Sequence, residues 1–141
     1  MNHRQFKGFL KDMEAECRDI PYHSTVRWLS RGKVLDVFSA IHEEISLFLE
    51  MKGEEMHCLK DINWITDLAF LADITMHLNN VNLSLKGKGQ LIVDMHDQIK
   101  AFMEKLRLFE RQMNNGHLTF FNRLASLNYL KLLLSAITKQ S

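Results

Sequence analysis

Proline is almost missing from this chain: Pro21 is the only one in 141 residues. Glycine is scarce too, at six. Little therefore interrupts the backbone, and long helices meet few built-in stops. The two cysteines, Cys17 and Cys58, cannot make a disulfide framework, which fits a reducing compartment. Neither charge sign is in excess, with 18 Lys and Arg against 17 Asp and Glu, a net +1. That excludes an overall electrostatic pull towards nucleic acid or membrane and leaves only local patches. No apolar run approaches the ~18 residues needed to span a bilayer. The opening Met-Asn-His-Arg-Gln-Phe-Lys lacks the apolar stretch of a signal peptide. With 46% apolar and 25% charged residues the chain has the composition of a folded, soluble domain. A domain of ~150 residues buries roughly 68–70% of its unfolded surface, enough for one core.

The apolar spacing that remains is helical throughout. A first helix over 2–17 places Phe6, Phe9, Leu10, Met13 and Cys17 on one face, and Arg18-Asp19-Ile20-Pro21 ends it. A second is clearest over 33–51, with a stripe of Val34, Leu35, Phe38, Ile41, Ile45, Phe48 and Leu49. Its start is open: Ser24 or Thr25 would cap a helix that includes Trp28, whereas Ser30 would cap a later one. Gly53 is its stop, and 54–60 reads as a loop. Asp61 caps a third helix running to about Lys86, with a stripe of Trp64, Leu68, Leu71, Thr75, Leu78, Asn82 and Leu85 that Ile65, Ala72 and Ile74 widen. After the turn Gly87-Lys88-Gly89, a fourth helix over 90–114 carries Ile92, Met95, Ile99, Phe102, Leu106, Phe109 and Met113 at alternating steps of three and four. That is a heptad-like seam, suited to shallow antiparallel packing and ended by Asn114-Asn115-Gly116. A last helix over 122–138 is apolar on more than one face, so it is either buried centrally or docks a partner. The expectation is an all-α fold of about five helices in a single domain, 1–141.

Chemistry has few places to sit. Cys17, His23, His57 and Cys58 would have to converge to hold zinc, but no Cys-x2-Cys or His-x3-His pair supports it, so they read as core or solvent-facing residues. His3, His42, His77, His96 and His117 are scattered at surface spacings. The chain has no nucleophile elbow, phosphate loop or zinc-protease motif. Gly87-Lys88-Gly89 follows a helix instead of the strand a phosphate loop requires. The paired carboxylates Glu43-Glu44, Glu54-Glu55 and Asp94/Asp97 read as solvated faces. No catalytic, cofactor-binding or metal-binding set emerges. One cluster remains: Arg27, Arg31 and Lys33 surround Trp28, with Arg4, Lys7, Lys11 and Arg18 nearby in sequence. Cations bind phosphates and Trp stacks on an unpaired base, so Arg27, Trp28, Arg31 and Lys33 are the candidate DNA contacts. The other reading makes Trp28 a core anchor and the cations a solvated face.

The segment His23-Ser24-Thr25-Val26-Arg27-Trp28-Leu29-Ser30-Arg31-Gly32-Lys33-Val34-Leu35 resembles the hAT-type transposase-derived proteins. The likeness continues through Glu43-Glu44-Ile45, Asp67-Leu68-Ala69-Phe70-Leu71-Ala72-Asp73-Ile74, Leu78-Asn79 and Asn82-Leu83-Ser84-Leu85-Lys86-Gly87-Lys88-Gly89-Gln90, then Lys100-Ala101-Phe102 and Lys105-Leu106. It covers about 2–120, Asn2-His3-Arg4-Gln5-Phe6 included. The family includes the transposon-derived part of the general transcription factor II-I repeat domain-containing proteins and the BED zinc-finger proteins. Family members have a ribonuclease H-like core with three catalytic acids, interrupted by a long helical insertion. The resemblance implies that this chain is the helix leaving the core's middle followed by the first part of the insertion. The first two acids would then lie before Met1 and the third after Ser141. It also implies that Arg27 and Trp28 match a pair near the active site, whose Trp is linked to stacking on a displaced base. After Phe120 the chain departs from the family, with Phe120-Phe121-Asn122 where relatives tend to have His-Phe-Pro, and 121–141 is a divergent Leu-rich tail.

These readings converge on a nuclear, non-catalytic, transposase-derived helical domain. Its expected partners are DNA through the Arg27–Trp28 region and protein through the apolar tail, with no membrane and no cofactor. A cytoplasmic location, a stand-alone protein-interaction module without a DNA role, and a remnant without selected function are the alternatives.

Overall fold

The computed structural model describes residues 3–13, 28–54, 56–87 and 89–138, with side chains for all of these except 28–30 and 133–138. The described residues are all-helical. They form α1 (His3–Asp12), α2 (Trp28–Ala40), α3 (His42–Met51), a short 3-10 turn (His57–Lys60), α4 (Ile62–Leu85), α5 (Ile92–Asn114) and α6 (Asn122–Thr138). They divide into two compact units, Met1–Ala72 and Asp73–Ser141, with the division falling inside α4.

The extra helix relative to the sequence reading comes from Ile41. The stretch read as one helix bends there, at φ −117° and ψ 25°, while Ile41 still takes part in i to i−4 bonding: its N–H donates to Val37 O and Ile45 N–H donates to Ile41 O. His42 Nδ1 donates to Ser39 O at 2.9 Å, holding the bend from its outer side and fixing the ring's tautomer. Ser30 lies inside α2, so it does not cap a later helix; Ser24 and Thr25 lie outside the described residues. Within the loop read at 54–60, His57–Lys60 makes a 3-10 turn that buries Leu59.

Local signals act where the sequence places them. Asp61 caps α4, its carboxylate accepting from Asn63 N–H at 2.9 Å. Gly53 (φ 73°) ends α3: its N–H donates to Glu50 O, and Glu54 N–H donates to Leu49 O. Gly116 (φ 74°) ends α5 in the same way, with bonds to Met113 O and from His117 N–H to Gln112 O. Each is the paired closure that satisfies a helix's last carbonyls and needs a left-handed residue after the cap.

In the first unit, Phe6 and Leu10 of α1 pack with Val37, Ile41, Ile45, Phe48 and Leu59. Phe6 meets Phe48 edge-to-face at 5.0 Å between ring centroids, and Phe9 flanks the same ring at 5.4 Å. Met13, read onto this face, is half exposed; Cys17 lies outside the described residues.

The second unit is built on a cap that comes from far away in sequence. α6 begins after Phe121, a residue with no side-chain oxygen to cap it. The buried carboxylate of Asp73, on α4, does so instead, accepting from Arg123 N–H at 3.1 Å and Leu124 N–H at 3.0 Å. Around it, Phe109 packs edge-to-face on Phe121 at 5.1 Å and lies 5.4 Å from Phe120. His77 closes the cluster: its ring sits 4.6 Å from Phe109, and its Nε2 donates to Phe120 O at 2.7 Å. Lys105 Nζ stands over both Phe109 and Phe120.

Two stripes need correcting. On α4 the buried line is Ile65, Leu68, Ala69, Ala72, Asp73, Thr75 and Asn79, whereas Leu71 and Leu78 are nearly half exposed. α4 has apolar residues all round, so periodicity alone does not select a face. On α5 only Phe109 of the seam is buried; Ile92, Met95, Ile99 and Leu106 are exposed. On α6, Leu124 and Leu127 are buried beside Phe121, and Tyr129, Leu130 and Leu132 are exposed.

Candidate functional site

The nominated DNA contacts map to the start of α2. Arg27 lies outside the described residues, as does Arg18. Trp28 is the first residue of α2 as described. Arg31 and Lys33 are both exposed and flank the buried backbone of Gly32. Two helical steps turn a side chain by ~200°, so Arg31 and Lys33 point to opposite sides and cannot grip one phosphate together. Each can still meet a separate phosphate, one on either flank of α2. Arg4, Lys7 and Lys11 lie on the exposed side of α1, opposite buried Phe6 and Leu10.

The residues weighed for metal or catalysis have ordinary surroundings. Cys58 is half-buried against the first unit's core and His57 is exposed; Cys17 and His23 lie outside the described residues. Among the described residues, no three His, Cys, Asp or Glu side chains are grouped so as to hold a metal ion. Glu43, Glu54, Asp94 and Asp97 are exposed, and Glu44 is half-buried. Asp94 is occupied as a local cap, accepting from Leu91 N–H at 3.0 Å. Asp73 is the buried carboxylate among the described residues, and its two oxygens are taken by α6.

A cleft of about 300 Å³ lies between α4 and α5 in the second unit, lined by His77, Ser84, Gln98, Phe102 and Lys105 among others. Three of its polar side chains, His77, Ser84 and Gln98, bond to one another or to the backbone. Ser84 Oγ lies 2.9 Å from both Gln98 Oε1 and Val81 O, and His77 Nε2 is held by Phe120 O. A nucleophile needs a base aimed at it. His77 faces a carbonyl instead, so the cleft is a packing feature with polar walls. Sequence reasoning missed both Asp73 and His77 as architectural residues. Each acts on a partner more than 40 positions away, and no local pattern signals that.

None of the described helices is long and apolar enough to cross a membrane.

A family model described as the FAM200/GTF2IRD2 helical domain matches residues 1–114. The chain is 39% identical over 128 residues to "General transcription factor II-I repeat domain-containing protein 2" of Bos taurus. It is 38% identical over 128 residues to the protein of the same name from Mus musculus. Each alignment covers 91% of this chain but only 14% of the relative, so the chain spans about a seventh of those proteins' length. No solved structure matches.

Proposed function

This chain belongs to the FAM200/GTF2IRD2-like helical-domain family, and from that premise we infer that it is a non-catalytic, hAT transposase-derived domain that contacts DNA in the nucleus. The observation that carries the reading is the agreement between that match over 1–114 and the ordered series of transposase-like motifs over 2–120. The relatives' printed name, a general transcription factor repeat protein, supports a nuclear setting. The DNA contacts are Arg27, Trp28, Arg31 and Lys33. Exposure of Arg31 and Lys33 on two sides of α2 favours phosphates on either side of an inserted helix end over a single bidentate grip. On this reading the two units belong to one helical domain, through which α4 runs without a break.

The test is electrophoretic mobility shift of duplex and splayed-end DNA by the full chain across a salt series. Binding should weaken with salt, and Arg31→Ala with Lys33→Ala should each lower the slope of log K against log salt by ~0.9 on duplex DNA. No shift at low salt refutes DNA contact. A second reading, docking of a nuclear protein on the tail, rests on the exposed pair Tyr129 and Leu132, which share one face of α6. It expects Leu132→Ser to release such a partner without altering DNA affinity.

A further inference from the structure

The division of charge between the two units differs sharply from the neutral total. Asp73–Ser141 holds nine Lys and Arg against five Asp and Glu, a net +4, while Met1–Ala72 holds nine against twelve, a net −3. Within the positive half α5 is neutral in sum, with four Lys and Arg against four Asp and Glu, but three of its cations share one side. At 100° per residue, Lys100, Arg107 and Arg111 fall within about 40° of arc, with Glu104 and Asp97 on the outer side of it, and all are exposed. The adjoining arc, about 80° wide, carries Met95, Leu106, Ile99, Ile92 and Met103, with Glu110 at its C-terminal end. These are exposed as well, Ile92 to 84% and Met103 to 51%. The helix thus shows solvent an apolar row about 20 Å long, bordered on one side by a cationic row. Its other border, at Gln98, Phe102 and Phe109, faces α4 and the cleft.

We propose that this face of α5 docks an amphipathic helix of another protein, one with an apolar seam at heptad spacing and Glu or Asp along the flank that meets Lys100, Arg107 and Arg111. Ile92, Met95, Ile99 and Leu106 follow each other at steps of three, four and seven, the register a second helix reads as knobs and holes. Charge complementarity selects the occupant. A partner with an acidic flank turns the cationic row into interhelical ion pairs, whereas one with a basic flank meets like charge. The Glu104–Arg107 pair lies along α5 itself, exposed on both sides, and leaves the guanidinium's remaining donors for a second carboxylate. A second copy of this chain fits poorly. Antiparallel α5 helices would bring the two cationic rows together, and parallel ones would need the border that α4 occupies. Nucleic acid would pair with the cations but leave the apolar row without a partner surface.

The experiment uses the full chain and two designed 28-residue helical peptides, identical in their Leu seam, one flanked by Glu and the other by Lys. Fluorescence anisotropy should show the Glu-flanked peptide binding at least about tenfold more tightly than the Lys-flanked one, each tenfold being 1.4 kcal/mol. Lys100→Glu with Arg107→Glu and Arg111→Glu should reverse that preference. Ile99→Asp should abolish binding of both, with an unchanged circular dichroism spectrum and melting temperature because the side chain is exposed. Equal affinity for the two peptides, or none for either, overturns the proposal. So does duplex DNA binding that is lost in the triple Glu variant while the peptides do not bind. Concentration-dependent dimerisation of the chain, abolished by Ile99→Asp, also overturns it in favour of a second copy.

Discussion

Replacing Asp73 by alanine is the most revealing perturbation of this structure. The carboxylate is 7% exposed and accepts two backbone N–H bonds at the start of α6, at 3.1 and 3.0 Å. Phe121 supplies no side-chain acceptor, so nothing local replaces what is lost. A hydrogen bond to a charged group contributes ~1.5–3 kcal/mol, and loss of a helix cap typically costs ~0.5–2 kcal/mol. The two bonds share one carboxylate and are not additive, so Asp73→Ala should cost about 2–4 kcal/mol. Asp73→Asn keeps one acceptor oxygen but turns an NH2 towards the second N–H, and should cost about 1–2 kcal/mol. Urea unfolding measures the total, and native-state hydrogen exchange locates it. The amides of Arg123 and Leu124 should lose protection in Asp73→Ala, while those of α3, in the other unit, should not. A cost below about 0.5 kcal/mol, or unchanged exchange at those two amides, would refute the view that α6 is held by a carboxylate from α4.

Other substitutions test the remaining supports. Phe109→Ala removes a ring that is 3% exposed and contacts His77, Phe120 and Phe121, and should cost about 3–5 kcal/mol; Phe109→Leu should recover at least half in the same urea titration. Gly116→Ala forces a side chain into φ 74° and should lower stability by about 1 kcal/mol, read as a shift in thermal midpoint. Gly8→Ala is the opposite case, since a Cβ there meets nothing within 4 Å and the residue lies inside α1. It should stabilise by about 0.5–1 kcal/mol, and any destabilisation would count against an exposed helical position there.

The residue types of the candidate site are legible in the sequence as cations near a Trp, and the structure adds that Arg31 and Lys33 are exposed. Their separation to opposite sides of α2 follows from the helix, and reading them as one compact cluster in sequence concealed it. The α5 seam was visible as a pattern of threes and fours, but the pattern says only that a partner is wanted. It does not say whether the partner lies within the chain, and most of the seam is left exposed.

Signals that act within four or five residues were settled by the amino-acid order alone. These include Asp61 at the head of α4 and Gly53 and Gly116 at the ends of α3 and α5, because each satisfies backbone groups of its own turn. The bend at Ile41, the buried face of α4 and the capping of α6 by Asp73 were decided by tertiary structure. A helix that is apolar all round can bury any side. Only the neighbours it meets, whose residues lie up to 51 positions away, determine which side becomes core and which carboxylate finds a backbone to cap.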